Sequence, residues 1–279
     1  MEAKIPVELG AVQETLLIPL LGRAEETRKP RGALDDPKSV EITEALDYDF
    51  DKWRGHGALA GASIRARLFD EEVQAFLTAH PEGTVVEIGA GLNTRYERLD
   101  NGRAQWLELD LPDSMALRRR FFEDTERRTM VAASVLDEGW LEEVRTRPGP
   151  VCFVAEAVLI YLGAEDLEPA LRRLAEAFPG SWLVTDTAST RMFERQKHSI
   201  MNTLPKDAWF RWRCDDPAEL GAWGFELVRS RTFVDAPKEI RAVMPMRYRV
   251  LLALVPGLMR KVVGGYRINR LRAGTGGTR

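Results

Sequence analysis

The chain has 279 residues, 44% of them hydrophobic and 30% charged, with 40 Lys+Arg against 43 Asp+Glu for a net charge of −3. That length suits one large domain or a domain with a cap, and the composition can bury a full core under a soluble surface. Two cysteines and three scattered histidines argue against a disulfide scaffold and any metal site. The apolar runs 16–21 and 251–259 are too short to span a bilayer, and the N-terminus lacks a signal-peptide pattern. The expectation is a cytoplasmic protein with no membrane partner.

Residues 1–62 stand outside any strand–helix repeat and are expected to form an N-terminal helical lid. Within them the polar, proline-containing stretch 22–39 reads as a surface connection. From residue 63 a regular alternation begins. Apolar residues at Ile64, Leu68, Val73, Phe76 and Leu77 predict an amphipathic helix over 63–80. Short apolar runs predict strands over 84–91, 105–112, 129–135, 150–158 and 181–188. Helices are expected between them at 114–124, 139–146 and 164–178. Residues 216–224 read as helix, and 225–234 and 266–273 as strands. Strands with continuous apolar cores, separated by helices, imply an α/β fold: a doubly wound, mostly parallel, seven-stranded sheet occupying 63–279. Residues 190–212 interrupt the pattern as an inserted cap. The tail 273–279 is expected to be disordered.

The charge is uneven. After Glu239 no acid appears while nine basic residues do, so residues 1–240 carry a net −12. The basic segment is either a surface for an anionic partner or a face packed on an acidic body, and the second reading is preferred. The acidic balance of the whole argues against nucleic-acid binding.

Open doubly wound sheets bind ligands past the carboxyl ends of their strands. After the first such strand stands Glu87-Ile88-Gly89-Ala90-Gly91. Its two glycines let backbone approach a ligand, though a tight turn alone would also need them. Thr94 occupies the place of the third small residue of a dinucleotide fingerprint. An acid at Glu87 suits a ligand with a cationic part. Asp110 follows Gly91 by 19 residues, where an acid grips a ribose diol, or else it caps the next helix. Ser134 and Val135 could form the rim and wall of an adenine slot. Glu156 interrupts an apolar run, so it faces either a cationic ligand or an arginine elsewhere in the fold. Glu87, Asp110 and Glu156 together describe an acid-lined crevice with few basic residues. Such a crevice favours S-adenosylmethionine over a phosphate-bearing nicotinamide cofactor.

The segments VVEIGAGLNTRYERL (85–99), WLELDLP (106–112), SVLDEGWL (134–141) and VCFVAEAVLIYL (151–162) resemble the leucine carboxyl methyltransferase family. The nearest branch is its bacterial polyketide O-methyltransferases of the tetracenomycin type. RAEET (23–27), ALDYDF (45–50) and RARLFDE (65–71) fit that branch too. The resemblance implies the class I methyltransferase fold. It implies that Gly89 and Gly91 line the methionine part of the cofactor, Asp110 holds the ribose, and Ser134 and Val135 flank the adenine. It also implies that Glu156 meets the amino-acid end and Arg65 binds the cofactor carboxylate. Asn93 stands where relatives usually carry Asp, and Ala157 where they often carry Gly.

The implied activity is O-methylation of a carboxylate or phenolic hydroxyl on a small polyketide-like aromatic molecule. Met192, Phe193, Trp209 and Trp212 are the candidate substrate contacts, and Tyr161 and His198 the candidate catalytic side chains. The alternatives are a nicotinamide-dependent oxidoreductase, a protein C-terminal carboxyl methyltransferase, or a cofactor-binding module without chemistry. The sequence leaves monomer and homodimer equally open.

Overall fold

The structure, a computed structural model, describes residues 3–244, 246–254, 257 and 264–275. Its N-terminal segment begins with the two-residue strand β1 (Ile5–Pro6) and the helices α1 (Leu17–Thr27) and α2 (Pro37–Ala45). It continues through β2 (Leu46–Asp47), which pairs parallel with β1. The long helix α3 (Gly57–Ala79) follows, its first turn capped by His56, whose Nδ1 accepts the Ala58 N–H at 3.2 Å. The sheet is built from β3 (Thr84–Ile88), β4 (Gln105–Asp110), β5 (Arg128–Ala132), β6 (Val151–Ala155) and β7 (Trp182–Ala188). The interleaved helices are α4 (Arg95–Leu99), α5 (Pro112–Arg118), α6 (Gly139–Arg145) and α7 (Ala164–Ala177), with α8 (Thr190–Arg195) after β7. Then come β8 (Phe225–Arg231), α9 (Lys238–Val243), α10 (Met246–Leu254) and β9 (Tyr266–Ala273).

The strand order is β5-β4-β3-β6-β7-β9-β8, parallel throughout except that β9 runs against both of its neighbours. The expected seven-stranded, doubly wound sheet is therefore present. Alternate strand residues serve opposite cores. Val86, Ile88, Leu107 and Phe153 pack with Trp140 of α6 and Leu171 of α7. Val85, Trp106, Cys152 and Val184 pack with Phe69, Val73 and Phe76 of α3. Burial on both faces explains why these strands read as unbroken apolar runs. The same alternation puts Glu87, Glu108 and Asp186 on the α3 side, all buried near the carboxyl ends of their strands.

Several expected boundaries move. The helix expected at 114–124 ends at Arg118, the strands end three residues earlier than expected at Ile88, Ala132 and Ala155, and 217–223 forms 3-10 turns instead of an α-helix. Residues 22–39 are not a surface connection. Gly22–Thr27 belong to α1 and Pro37–Ser39 to α2, and Arg23, Glu26, Asp36 and Ser39 are buried. Polarity misleads there because the charges are paired with one another inside the fold. The division at 62/63 falls within α3, so one continuous helix joins the N-terminal segment to the sheet.

The N-terminal segment and the cap share one apolar cluster, in which Leu17, Leu21 and Trp53 meet Ile200, Met201 and Leu204. The Trp53 indole also donates to Thr203 Oγ1 at 3.2 Å. In the basic C-terminal stretch, Arg270 reaches Glu72 at 3.5 Å, as a face packed on an acidic body requires. Arg260, Lys261, Arg279 and the tail 276–279 lie outside the described residues. Among the described residues no helix is long and apolar enough to cross a membrane.

Candidate active site

The sheet reverses its direction of growth at β3, which has β4 on one side and β6 on the other. At that switch point, where open α/β sheets take ligands, lies a cavity of about 440 Å³. Its floor is the turn after β3. Gly89 has φ +67° and Gly91 φ +46°, both in the left-handed region that glycine enters freely. A Cβ at Gly89 would stand 2.3 Å from Val158 Cγ2, so a side chain there is excluded by contact as well as by backbone.

A buried ionic network holds this turn from below. Arg95, with no exposed side-chain surface, donates to Asp70 at 2.9 Å, to Glu156 at 2.5 Å and to Glu87. Arg118 pairs with Glu108 at 2.6 Å and donates to the carbonyls of Gly91 and Asn93 at 2.9 and 2.7 Å. Arg23 pairs with Asp36 at 2.9 Å and donates to the Leu92 carbonyl at 2.7 Å. Three consecutive carbonyls of the turn are thus fixed by two guanidinium groups. Thr94, the residue in the dinucleotide-fingerprint place, donates to Asp36 at 2.6 Å. A planar guanidinium suits this work because it offers five donors in a rigid fork. Arg98 joins Asp70 to Asp36, at 2.9 and 3.4 Å.

These contacts correct the picture of a crevice lined by unpaired acids. Glu87 does not border the cavity; it is buried against Arg95 beneath the turn. Burial pushes its carboxyl above the ordinary value, with Arg95 opposing. Glu156 borders the cavity, but its two oxygens already accept from Arg65 at 2.8 Å and Arg95 at 2.5 Å. Although burial opposes ionisation, Arg65 and Arg95 hold its carboxyl below the usual range. For Glu156 the arginine alternative is the one present, whereas the sequence reading gave Glu87 no partner. The signal was Asn93-Thr94-Arg95 directly after the glycines, where an arginine is placed to fold back under the turn.

Asp110 lies at the cavity wall. Its Oδ2 accepts the Gly91 N–H at 2.6 Å and its Oδ1 the Leu111 N–H at 2.7 Å. It is not the cap of α5, whose N-cap residue is Leu111. Burial raises its carboxyl, and the two backbone donors pull it back. Ser134 and Val135 also border the cavity, in a turn closed by Asp137, whose Oδ2 accepts the Ser134 N–H at 2.8 Å.

The cavity is covered from two directions. The N-terminal segment contributes Leu16, Ile18 and Pro19, and the cap contributes Met192, Ile200 and Phe210. Of the candidate substrate contacts only Met192 borders the cavity. Trp212 is buried in the core against Trp223, with centroids 5.8 Å apart, and Trp209 donates its indole N–H to the Met201 carbonyl at 2.9 Å. Phe193 is half-buried within α8, and His198 is exposed on the cap; neither borders the cavity. Tyr161 does border it, and burial raises its hydroxyl above the ordinary phenol value. Among the described residues, Arg195 is a bordering cation without a hydrogen-bond or ion-pair partner.

Ala157 has φ +54°, the one non-glycine residue in the left-handed region among those described. The strain is held by Asp186, whose Oδ2 accepts the Ala157 N–H at 2.8 Å.

Fold, switch-point cavity and glycine turn together define a doubly wound α/β protein with a ligand-sized cavity beside β3. The chain belongs to the leucine carboxyl methyltransferase family, whose profile matches residues 16–175. It is 34% identical over 217 residues to the tetracenomycin polyketide synthesis O-methyltransferase TcmP of Streptomyces glaucescens, covering 77% of this chain and 79% of that protein. It is 26% identical over 244 residues to the S-adenosyl-L-methionine-dependent methyltransferase dpfgK of Gibberella zeae, with the same coverages of 77% and 79%. Among solved structures, the magnesium protoporphyrin IX methyltransferase ChlM of Synechocystis PCC 6803 aligns with a TM-score of 0.49 at 16% identity, covering 85% of this chain and 100% of that one. The family match bears out the expected membership and leaves the nicotinamide-dependent alternative without support.

Proposed function

We propose that this protein is an S-adenosylmethionine-dependent O-methyltransferase whose acceptor is a carboxylate on a small, aromatic, polyketide-like molecule. The observation that carries the reading is the cavity itself. It has a glycine floor and a carboxylate at one end, apolar walls at the other, and no histidine or lysine among its described lining residues. Its volume of about 440 Å³ lies in the range of small-molecule sites. The names of the relatives support the cofactor and, for TcmP, the polyketide class of acceptor.

The residues present fit the cofactor. Gly89 and Gly91 leave room that a Cβ would fill, and Asp110 keeps lone pairs beyond its two backbone bonds for ribose hydroxyls. Ser134 and Val135 flank the adenine, Arg65 takes the carboxylate, and Glu156 receives the ammonium. When bound, the cofactor supplies an electrophilic methyl group. The chain's own task is to align the acceptor with it and to exclude water. Residues 1–62 and 190–212 do this as a lid, with the shared cluster of Leu17, Ile200 and Met201 closing it.

A carboxylate is ionised at neutral pH and needs no base, whereas a phenol with a pKa of about 10 does. Burial raises the Tyr161 hydroxyl above the ordinary phenol value, so it keeps its proton at neutral pH and is no base. His198 is on the exposed side of the cap. The unpartnered Arg195 is placed to hold the acceptor's negative charge.

The test is incubation of the protein and methyl-labelled S-adenosylmethionine with extracts rich in aromatic polyketide acids, followed by mass spectrometry. The labelled product should be a methyl ester that mild alkali hydrolyses. A base-stable methyl ether would overturn the carboxylate assignment, and no transfer to any acceptor would count against the enzyme reading.

A further inference from the structure

We propose that Tyr266, oriented by Asp186, positions Arg65 to grip the carboxylate of the cofactor; the inference rests on the function proposed above. Tyr266 opens β9 and pairs across the sheet with Ala188, so its hydroxyl comes in from the strand next to β7. It is 4% exposed, borders the cavity, and its ring stacks on Phe233 with centroids 5.9 Å apart at an interplanar angle of 4°. Nothing in its sequence context marks it for the cofactor.

The direction of its hydroxyl proton follows from its partner. Tyr266 Oη donates to Asp186 Oδ2, the same oxygen that receives the Ala157 N–H. An ionised carboxylate can only accept, so the proton of the pair must point to Asp186 and the lone pairs of Tyr266 face elsewhere. Burial and the adjacent Asp186 raise the phenol well above its ordinary value, so this proton stays on Tyr266. Asp186 itself is fully buried and its Oδ1 has no partner. A buried charge with one oxygen unpaired is costly to keep, which calls for a purpose beyond packing.

What the oriented hydroxyl meets is Arg65. Its Nη1 donates to Tyr266 Oη at 3.5 Å while its Nε donates to Glu156 Oε1 at 2.8 Å. The guanidinium is thereby held at two nitrogens by groups from two different strands' ends. Nη2 has no hydrogen-bond partner among the described residues, and the side chain borders the cavity with 15% of its surface exposed. An arginine pinned in this way presents a fixed donor to an incoming carboxylate. Without Tyr266 the same group would rotate about Glu156 and lose that preorganisation.

Titration calorimetry with S-adenosylhomocysteine and with adenosine separates this role from a structural one. The proteins needed are the wild type, Tyr266→Phe, Arg65→Lys and the double variant. Tyr266→Phe keeps the ring and its stacking on Phe233. It should raise the Kd for S-adenosylhomocysteine by about three- to tenfold, the size of one net hydrogen bond, and leave adenosine, which has no carboxylate, unchanged. Because Tyr266 acts through Arg65, adding Tyr266→Phe to Arg65→Lys should change the Kd by less than about twofold. Equal losses for both ligands, no loss for either, or an undiminished effect in the Arg65→Lys background would each overturn the positioning role. Failure of the wild type to bind S-adenosylhomocysteine would instead overturn the proposed function, and this inference with it.

Discussion

Asp110 Oδ2 accepts the N–H of Gly91 at 2.6 Å, joining the carboxylate at the end of β4 to the glycine turn at the end of β3. The group assigned to the ribose and the turn that forms the cavity floor are therefore one unit. Removing the carboxylate disturbs both.

Asp110→Ala should weaken S-adenosylhomocysteine binding at least tenfold, since hydrogen bonds to a charged group contribute roughly 1.5–3 kcal/mol each. It should also lower stability by about 1–3 kcal/mol, because the Gly91 and Leu111 N–H groups lose their acceptor. Calorimetry and urea denaturation measure the two. A stable variant with unchanged affinity would show that Asp110 serves neither role.

Arg95→Leu should destabilise the fold by about 3–5 kcal/mol, the cost of leaving buried charge unpaired. Asp70 and Glu156 retain Arg98 and Arg65, but Glu87 loses its ion-pair partner. Adding Glu87→Gln to Arg95→Leu should therefore recover part of the loss in urea titrations. If the second change makes matters worse, the network is not balanced as the distances indicate.

Ala157→Gly should raise stability by up to about 1 kcal/mol. The left-handed conformation at φ +54° costs a residue with a Cβ about 1–2 kcal/mol, and glycine's greater freedom when unfolded returns part of that gain. A thermal melt reads this as a rise of a few degrees. A fall in melting temperature would mean that the alanine methyl packs more favourably than its backbone is strained.

Asp186 should make stability depend on pH in a way that Asp186→Asn abolishes. Burial raises its carboxyl from the ordinary 3.8 to about 6. Between those values the folded protein binds the proton more tightly than the unfolded chain, so this group's contribution falls as pH rises through that window. An asparagine oxygen can still accept from Ala157 and Tyr266. The variant should match wild type below about pH 4 and exceed it by up to about 3 kcal/mol above pH 6, because each tenfold difference in proton affinity is worth about 1.4 kcal/mol. A gap that does not vary with pH would show that Asp186 does not titrate there.

The centre of the sheet was legible because β3, β4, β6 and β7 are largely apolar runs, a pattern set by burial on both faces of a parallel sheet, whereas β8 and β9 were legible by their alternation. That Gly89, Gly91 and Asp110 lie together at the carboxyl ends of adjacent strands was legible, because their spacing along the chain spans one strand–helix–strand unit. The charge balance was not. Arg23 and Asp36 lie in a stretch whose polarity suggests solvent, and only tertiary packing pairs them at 2.9 Å. Asp186 gave the same signal as Glu156, an acid in an apolar run, yet its partner Tyr266 is 80 residues away in the sequence. His198, Phe193, Trp209 and Trp212 were chosen for residue type alone, and the fold turns them to the surface or into packing contacts.

The most direct test of the account is titration calorimetry of the wild-type protein against S-adenosylhomocysteine and NAD. The glycine floor, Asp110, and Arg65 held between Glu156 and Tyr266 predict saturable binding of one S-adenosylhomocysteine per chain and no heat of binding with NAD. Binding of NAD, or no binding of S-adenosylhomocysteine, would contradict the assignment of the switch-point cavity.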